Sequence, residues 1–248
     1  MWNSFALAVQ TMTGFSVLSG QAVSRADARR AVFLLPVIGA VVGAFLAAVW
    51  AVGNRLWVGQ PMVPAALTLA AGLWLTGGRG LGGVARSADG LAAHGAGGDR
   101  MRAFAVMRDP RRGTQGLVAL GGLLALRLAF LSALPPALAW QILVLTGALG
   151  GWATAFAYSA FPVAAASEDA PGLADAGPNE FLAATAVVIA CGAILPRVGL
   201  LVLVAAALVA GASAYSVNRT LGGLNRPLCA ALGEIAELTA LACLTIRF

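Results

Sequence analysis

The residues best suited to chemistry lie in one polar stretch, 76–116, which reads TGGRGLGGVARSADGLAAHGAGGDRMRAFAVMRDPRRGTQG. It gathers seven arginines (Arg79, Arg86, Arg100, Arg102, Arg108, Arg111 and Arg112), three aspartates (Asp89, Asp99 and Asp109) and many glycines. Each type has a use around phosphate. Glycine lets backbone N–H groups approach an anion closely. Arginine grips phosphate through a planar, bidentate fork. Aspartate can hold Mg²⁺ beside phosphate oxygens. The combination predicts a phosphate-handling site. A plainer reading competes, a solvated basic loop that sets membrane topology and touches anionic lipid. Composition alone favours the plainer one.

A second group of ionisable residues sits where charge is expensive. Glu234 and Glu237 interrupt one apolar run, three residues apart and hence on one helix face, and Arg127 interrupts another. Ionised groups at membrane depth are functional or paired inside a bundle, and Arg127 is the natural partner of both glutamates. A structural ion pair that fixes helix packing is preferred here to a direct catalytic role. His94 is the sole histidine, so a histidine-based metal site is excluded, and it reads as a solvated loop residue. Cys191, Cys229 and Cys243 show no CxxC spacing and read as small buried apolar residues.

The elements that must position these residues follow from composition. Of 248 residues, 60% are hydrophobic and only 10% charged, with a mean hydropathy of +0.86. A soluble domain carries about 25% charged residues. The expected fold is all-α, a single polytopic membrane bundle over residues 1–248 with a Gly/Arg-rich motif segment at 79–116 on its cytoplasmic side. A bilayer-spanning helix needs about 20 apolar residues. Seven runs come near that length, roughly 31–52, 62–78, 117–134, 142–166, 181–195, 198–214 and 228–246. Breaks fall at Pro135–Pro136 and Pro196–Arg197. Segment 2–19 reads as an interfacial helix or an eighth element, without the basic start of a signal peptide. The tryptophans lie mostly near span ends, as in an interfacial belt.

Net charge is +6, and every basic residue is arginine. The arginines sit between apolar runs, which points to membrane orientation and phosphate rather than to nucleic acid. Seven spans put Arg25, Arg29, Arg30, Arg219, Arg226 and the seven arginines of 76–116 on one side, and Arg55, Arg197 and Arg247 on the other. The positive-inside rule then predicts a cytoplasmic N-terminus in the cytoplasmic (inner) membrane. The acidic residues Glu168, Asp169, Asp175 and Glu180 also fall inside, but acids contribute little to orientation.

The order of residues adds a resemblance. LTGG at 75–78, ADGL at 88–91 and MRDPRRGTQG at 107–116 resemble the cobalamin synthase family, the adenosylcobinamide-GDP ribazoletransferases. Family members look like LTGGLHLDGLADTADG followed by a stretch like MKDSRIGTYG, at the spacing found here. FLLPVIG at 33–39 and LGGLNRPLCAALGEIAEL at 221–238 are weaker matches. The resemblance implies a membrane transferase that joins adenosylcobinamide-GDP to α-ribazole or its phosphate and releases GMP. It implies Asp89, Asp109 and Arg111 as catalytic residues, with Asp89 and Asp109 as Mg²⁺ ligands. It also implies a ligand-binding role for Gly77, Gly78, Gly90, Gly113 and Thr114.

The departures from that pattern are chemical. The family has acids where this chain has Gly82, Arg86 and Asp89, a histidine at Gly80 and an aspartate at Pro227. Arg86 lies one helical turn before Asp89, so the two are expected to pair. A guanidinium would then occupy the space of a divalent cation. Asp109 reads equally as a metal ligand or as an ion-pair partner of a neighbouring arginine. The alternative function is a catalytically silent relative that keeps the fold and binds a corrinoid, a nucleotide or a partner protein. A transporter ranks last, since few polar residues line the spans.

Overall fold

A computed structural model describes residues 1–17, 24–164, 177–195 and 198–246. Pro196, Arg197, Arg247, Glu168, Asp169 and Asp175, used above for topology, lie outside the described residues. The described chain forms ten helices: α1 (Trp2–Met12), α2 (Arg25–Leu56), α3 (Met62–Thr76), α4 (Arg79–Gly95), α5 (Arg100–Arg108), α6 (Thr114–Ser132), α7 (Ala139–Ala160), α8 (Pro178–Gly192), α9 (Gly199–Leu221) and α10 (Arg226–Thr245). Five of them (α2, α6, α7, α9 and α10) are long and apolar enough to cross a bilayer, and α3 and α8 are shorter apolar helices of 15 residues. These seven account for the seven apolar runs. The protein is a polytopic all-helical membrane bundle.

Helix α7 is the axis. It is apolar nearly all round and buried along most of its length, as a helix inside a bundle must be. Helix α2 lies along it through glycines on both sides. A Cβ at Gly39 would overlap the Gly147 carbonyl, one at Gly43 the Leu143 carbonyl, and one at Gly151 the Leu35 carbonyl. Small residues four apart let two backbones touch, which is how membrane helices gain packing energy when water supplies none.

The ends of the elements collect at one end of the bundle. Ser24 caps α2, accepting from the Asp27 N–H at 3.1 Å, while the Ser4 hydroxyl of α1 donates to Asp27 at 3.0 Å. The Gly14 N–H donates to Leu75 O at 2.9 Å, which fastens the end of α1 to the end of α3. Arg29 meets Glu180 of α8 at 3.3 Å, and Arg100 Nε donates to Thr220 O at the end of α9 at 3.0 Å. Ala164 and Leu224 join the exit of α7 to the turn before α10. The seven apolar helices therefore alternate in direction. Helix α1, of 11 residues, is too short to span and packs beside α2, so it is not an eighth crossing; residues 18 and 19 of segment 2–19 lie outside the described residues.

Two expectations need correction. Stretch 79–108 is not a loop: it forms α4 and α5, and His94 sits in the last turn of α4. Glycine opposes helix formation in isolation, but here it permits contact. A Cβ at Gly83 would crowd Pro227 O and Ala230 of α10, and one at Gly90 would crowd Met107 of α5. The tryptophans are not all interfacial either. Trp50 and Trp152 are buried, and Trp152 stacks on Phe156 with ring centres 5.5 Å apart and donates to Thr185 Oγ1 at 3.0 Å. All three cysteines are free thiols; Cys229 is buried, the other two half-buried.

Candidate functional site

Helices α1, α3, α4, α5, α7 and α10 enclose a cavity of about 700 Å³ at the end of the bundle where their termini meet. That volume suits a sizeable small-molecule ligand. Its inner wall is acidic. Glu234 and Glu237 face it from α10, and Arg127 reaches across from α6 with Nη2 2.9 Å from Glu234 and in direct contact with Glu237. The three side chains are largely withdrawn from solvent, with Arg127 14% and Glu234 13% exposed. Glycine makes the room: a Cβ at Gly80 would strike the Glu234 carboxylate, and one at Gly150 the Glu237 carboxylate.

The remaining walls carry four arginines. Arg79 and Arg86, seven apart, share a face of α4; Arg108 ends α5, and Arg226 begins α10. Arg79 donates to the Gln10 carbonyl of α1. Arg86 is half-buried, and its Nε–H is enclosed with no hydrogen-bond partner among the described residues. Burial, then the charges of Arg112 and Arg226, pull its pKa below the usual arginine value. The guanidinium nonetheless stays charged at neutral pH. Asn225 closes this side. It caps α10 by accepting from Leu228 N–H at 3.1 Å and donates to Met107 Sδ at 3.3 Å.

Asp89 does something different from what its neighbours suggest. It is 8% exposed, and its two oxygens accept from Gly113 N–H and Gly116 N–H, each at 2.7 Å. It thus caps α6 from another helix, where a negative charge also favours the helix dipole. The expected pair with Arg86 is not formed. A Cβ at Gly113 would lie 2.5 Å from the carboxylate, so glycine is required for this closure. Asp109 accepts from the Arg111 N–H at 2.8 Å in an exposed turn, and no arginine side chain pairs with it among the described residues. Arg111 and Thr114 are exposed beside it and do not line the cavity. Gly77 and Gly78 have φ of +61° and +63° and make the left-handed turn from α3 to α4. Gly90 lies against α5.

The structure thus brings Arg127, Glu234 and Glu237 together at the cavity and places Asp89 with Gly113 and Gly116 behind it. Sequence reasoning placed Arg79, Arg86 and Arg108 among the seven arginines of a phosphate-handling stretch without singling them out as cavity residues, and used Arg226 only for orientation. The seven-residue spacing of Arg79 and Arg86 was the available signal. The oxygen ligands needed for Mg²⁺ do not fit well here. The carboxylates on the cavity wall are engaged by Arg127, those of Asp89 by α6, and no group of three or more His, Cys, Asp or Glu that could hold a metal occurs among the described residues.

Fold and site together define a polytopic membrane protein with a cavity lined by four arginines and by two acids that pair with Arg127. The model of the family described as cobalamin-5-phosphate synthase matches residues 4–245. The chain belongs to that family. Relatives named adenosylcobinamide-GDP ribazoletransferase include one from Roseiflexus sp. (strain RS-1), 32% identical over 99% of this chain and 91% of the relative. Another, from Pseudomonas syringae pv. syringae (strain B728a), is 35% identical over 88% of both chains. A third, from Geobacillus kaustophilus (strain HTA426), is 29% identical over 95% of this chain and 92% of the relative. No solved structure matches the chain.

Proposed function

We propose that the chain is an adenosylcobinamide-GDP ribazoletransferase acting at the cytoplasmic face of the inner membrane. A hydroxyl of α-ribazole or its phosphate attacks the phosphorus on the cobinamide side of the diphosphate. The bond from that phosphorus to the bridging oxygen breaks, GMP leaves with the oxygen, and the hydroxyl proton is released. The observation that carries this reading is the extent of the family match, 4–245, which takes in every helix that lines the cavity. The silent-relative alternative is not favoured, because the relatives above all bear the transferase name.

The chain's own residues suit the reaction. Phosphoryl transfer depends on positioning and on offsetting charge over the phosphoryl oxygens. Arg79, Arg86, Arg108 and Arg226 line the part of the cavity where a diphosphate would sit, and guanidinium forks match its geometry. Asp89 holds the start of α6 in place, directly after the exposed turn that carries Asp109 and Arg111. With the arginine-rich end facing the cytoplasm, the cavity opens toward the water-soluble nucleotide. The test is turnover by the purified protein in nanodiscs supplied with adenosylcobinamide-GDP and α-ribazole phosphate. Formation of GMP and the joined corrinoid product is expected; their absence would overturn the assignment.

A further inference from the structure

We infer that the cavity binds the diphosphate through arginine alone, with the Arg86 guanidinium standing in for a divalent cation. The inference rests on the function proposed above and specifies how its site is charged. Arg86 projects from α4 into the cavity with an enclosed, unpartnered Nε–H. Its head lies over Gly82: a Cβ built there has Arg86 Nη2, at 3.9 Å, as its one neighbour. The space that a side chain at position 82 would enter is therefore faced by a positive group.

The nearby charges agree. Burial first, and then the positive charges of Arg112 and Arg226, pull the Arg86 pKa down, and those two charges would also repel a divalent cation. The acids that face the cavity among the described residues, Glu234 and Glu237, are bound to Arg127 on its inner side. An anion placed against Arg86 satisfies the buried Nε–H. Among the described residues a hard dication placed there finds no ordered set of oxygen ligands, which Mg²⁺ requires. Guanidinium is always charged and forked, so it supplies both the neutralisation and the geometry of a diphosphate clamp.

The test is GDP binding by calorimetry to the full chain in nanodiscs, once with EDTA and once with excess Mg²⁺, alongside a titration with Mn²⁺ alone followed by electron paramagnetic resonance. Equal GDP affinity in the two buffers and no tight Mn²⁺ site are expected. Arg86→Gln should weaken GDP binding by about tenfold to a hundredfold in both buffers, the loss of a charged hydrogen-bond donor. Gly82→Asp with Arg86→Asp should create a tight Mn²⁺ site and make GDP binding depend on the metal. GDP binding by the unaltered chain only with Mg²⁺, a tight Mn²⁺ site in it, or no GDP binding in either buffer would overturn the inference. Turnover separates the two claims. Turnover with metal-dependent GDP binding removes the arginine site and leaves the transferase, whereas metal-free GDP binding without turnover does the reverse.

Discussion

Asp89 offers the sharpest test, because the sequence motif and the structure give it different work. Its two oxygens each accept one backbone N–H at 2.7 Å, from Gly113 and Gly116. A hydrogen bond to a charged group is worth roughly 1.5–3 kcal/mol. In Asp89→Asn one oxygen survives, and the amide nitrogen points a donor at a donor. One bond is lost and one buried N–H is left unpaired, a cost of about 2 kcal/mol. Asp89→Ala loses both bonds, a cost of about 3–5 kcal/mol before any relaxation. For a chain of this size 1 kcal/mol moves a melting temperature by about 2–4 °C, so the expected drops are about 4–8 °C for Asn and about 6–20 °C for Ala. Thermal unfolding in detergent, followed by circular dichroism, measures both. Turnover should be assayed well below either transition. If Asp89 acts by capping α6, Asp89→Asn keeps most of its turnover there. An unchanged melting temperature with turnover abolished would refute the capping argument and return Asp89 to the chemistry.

Arg127→Ala leaves two carboxylates buried without their cation and should destabilise the bundle by about 3–5 kcal/mol, with partial recovery when Glu234→Gln and Glu237→Gln are added. Thermal unfolding in detergent checks this, and an unshifted transition would show that the triad does not hold the helices. Gly147→Leu forces α2 away from α7 and should cost at least about 1–3 kcal/mol, whereas Gly121→Ala, with open space around it, should be near neutral in the same assay. A single cysteine introduced as Arg111→Cys, with the three native cysteines replaced by serine, should react with an impermeant maleimide in inverted vesicles and not in intact cells. The opposite labelling pattern would reverse the proposed topology.

The apolar helices, five of them long enough to cross, were legible because bilayer thickness imposes a length on apolar runs, and Pro135–Pro136 marks a break that no membrane helix survives intact. The Arg127–Glu234–Glu237 cluster could be read from the cost of isolated charge in an apolar run. Beyond the helical spacing of Arg86 and Asp89, the extent of α4 and the existence of α5 could not be read. The glycines of α4 argue against helix locally, and only α10 and α5 reveal that the missing side chains are contact surface. Arg86 and Asp89 show the limit of a spacing rule. Three residues apart on a helix, they should pair, but the start of α6 offers Asp89 two N–H donors from 24 and 27 residues away. No local pattern carries that competition. The arginines at 108 and 226 belong to separate segments, and only the meeting of α5 with α10 makes them neighbours of one cavity.

Gly150 and Gly151 are adjacent in α7 and answer to different masters. Gly151 admits the backbone of α2, while Gly150 admits the Glu237 carboxylate. Neither has a functional group, and neither leaves a side chain that could bend to absorb a shift. In a saturation mutagenesis scan this pair should therefore score like reacting residues while contributing no chemistry. Their intolerance would report that scaffold and cavity wall are one piece of backbone, so that selection on the reaction also polices the helix crossing behind it.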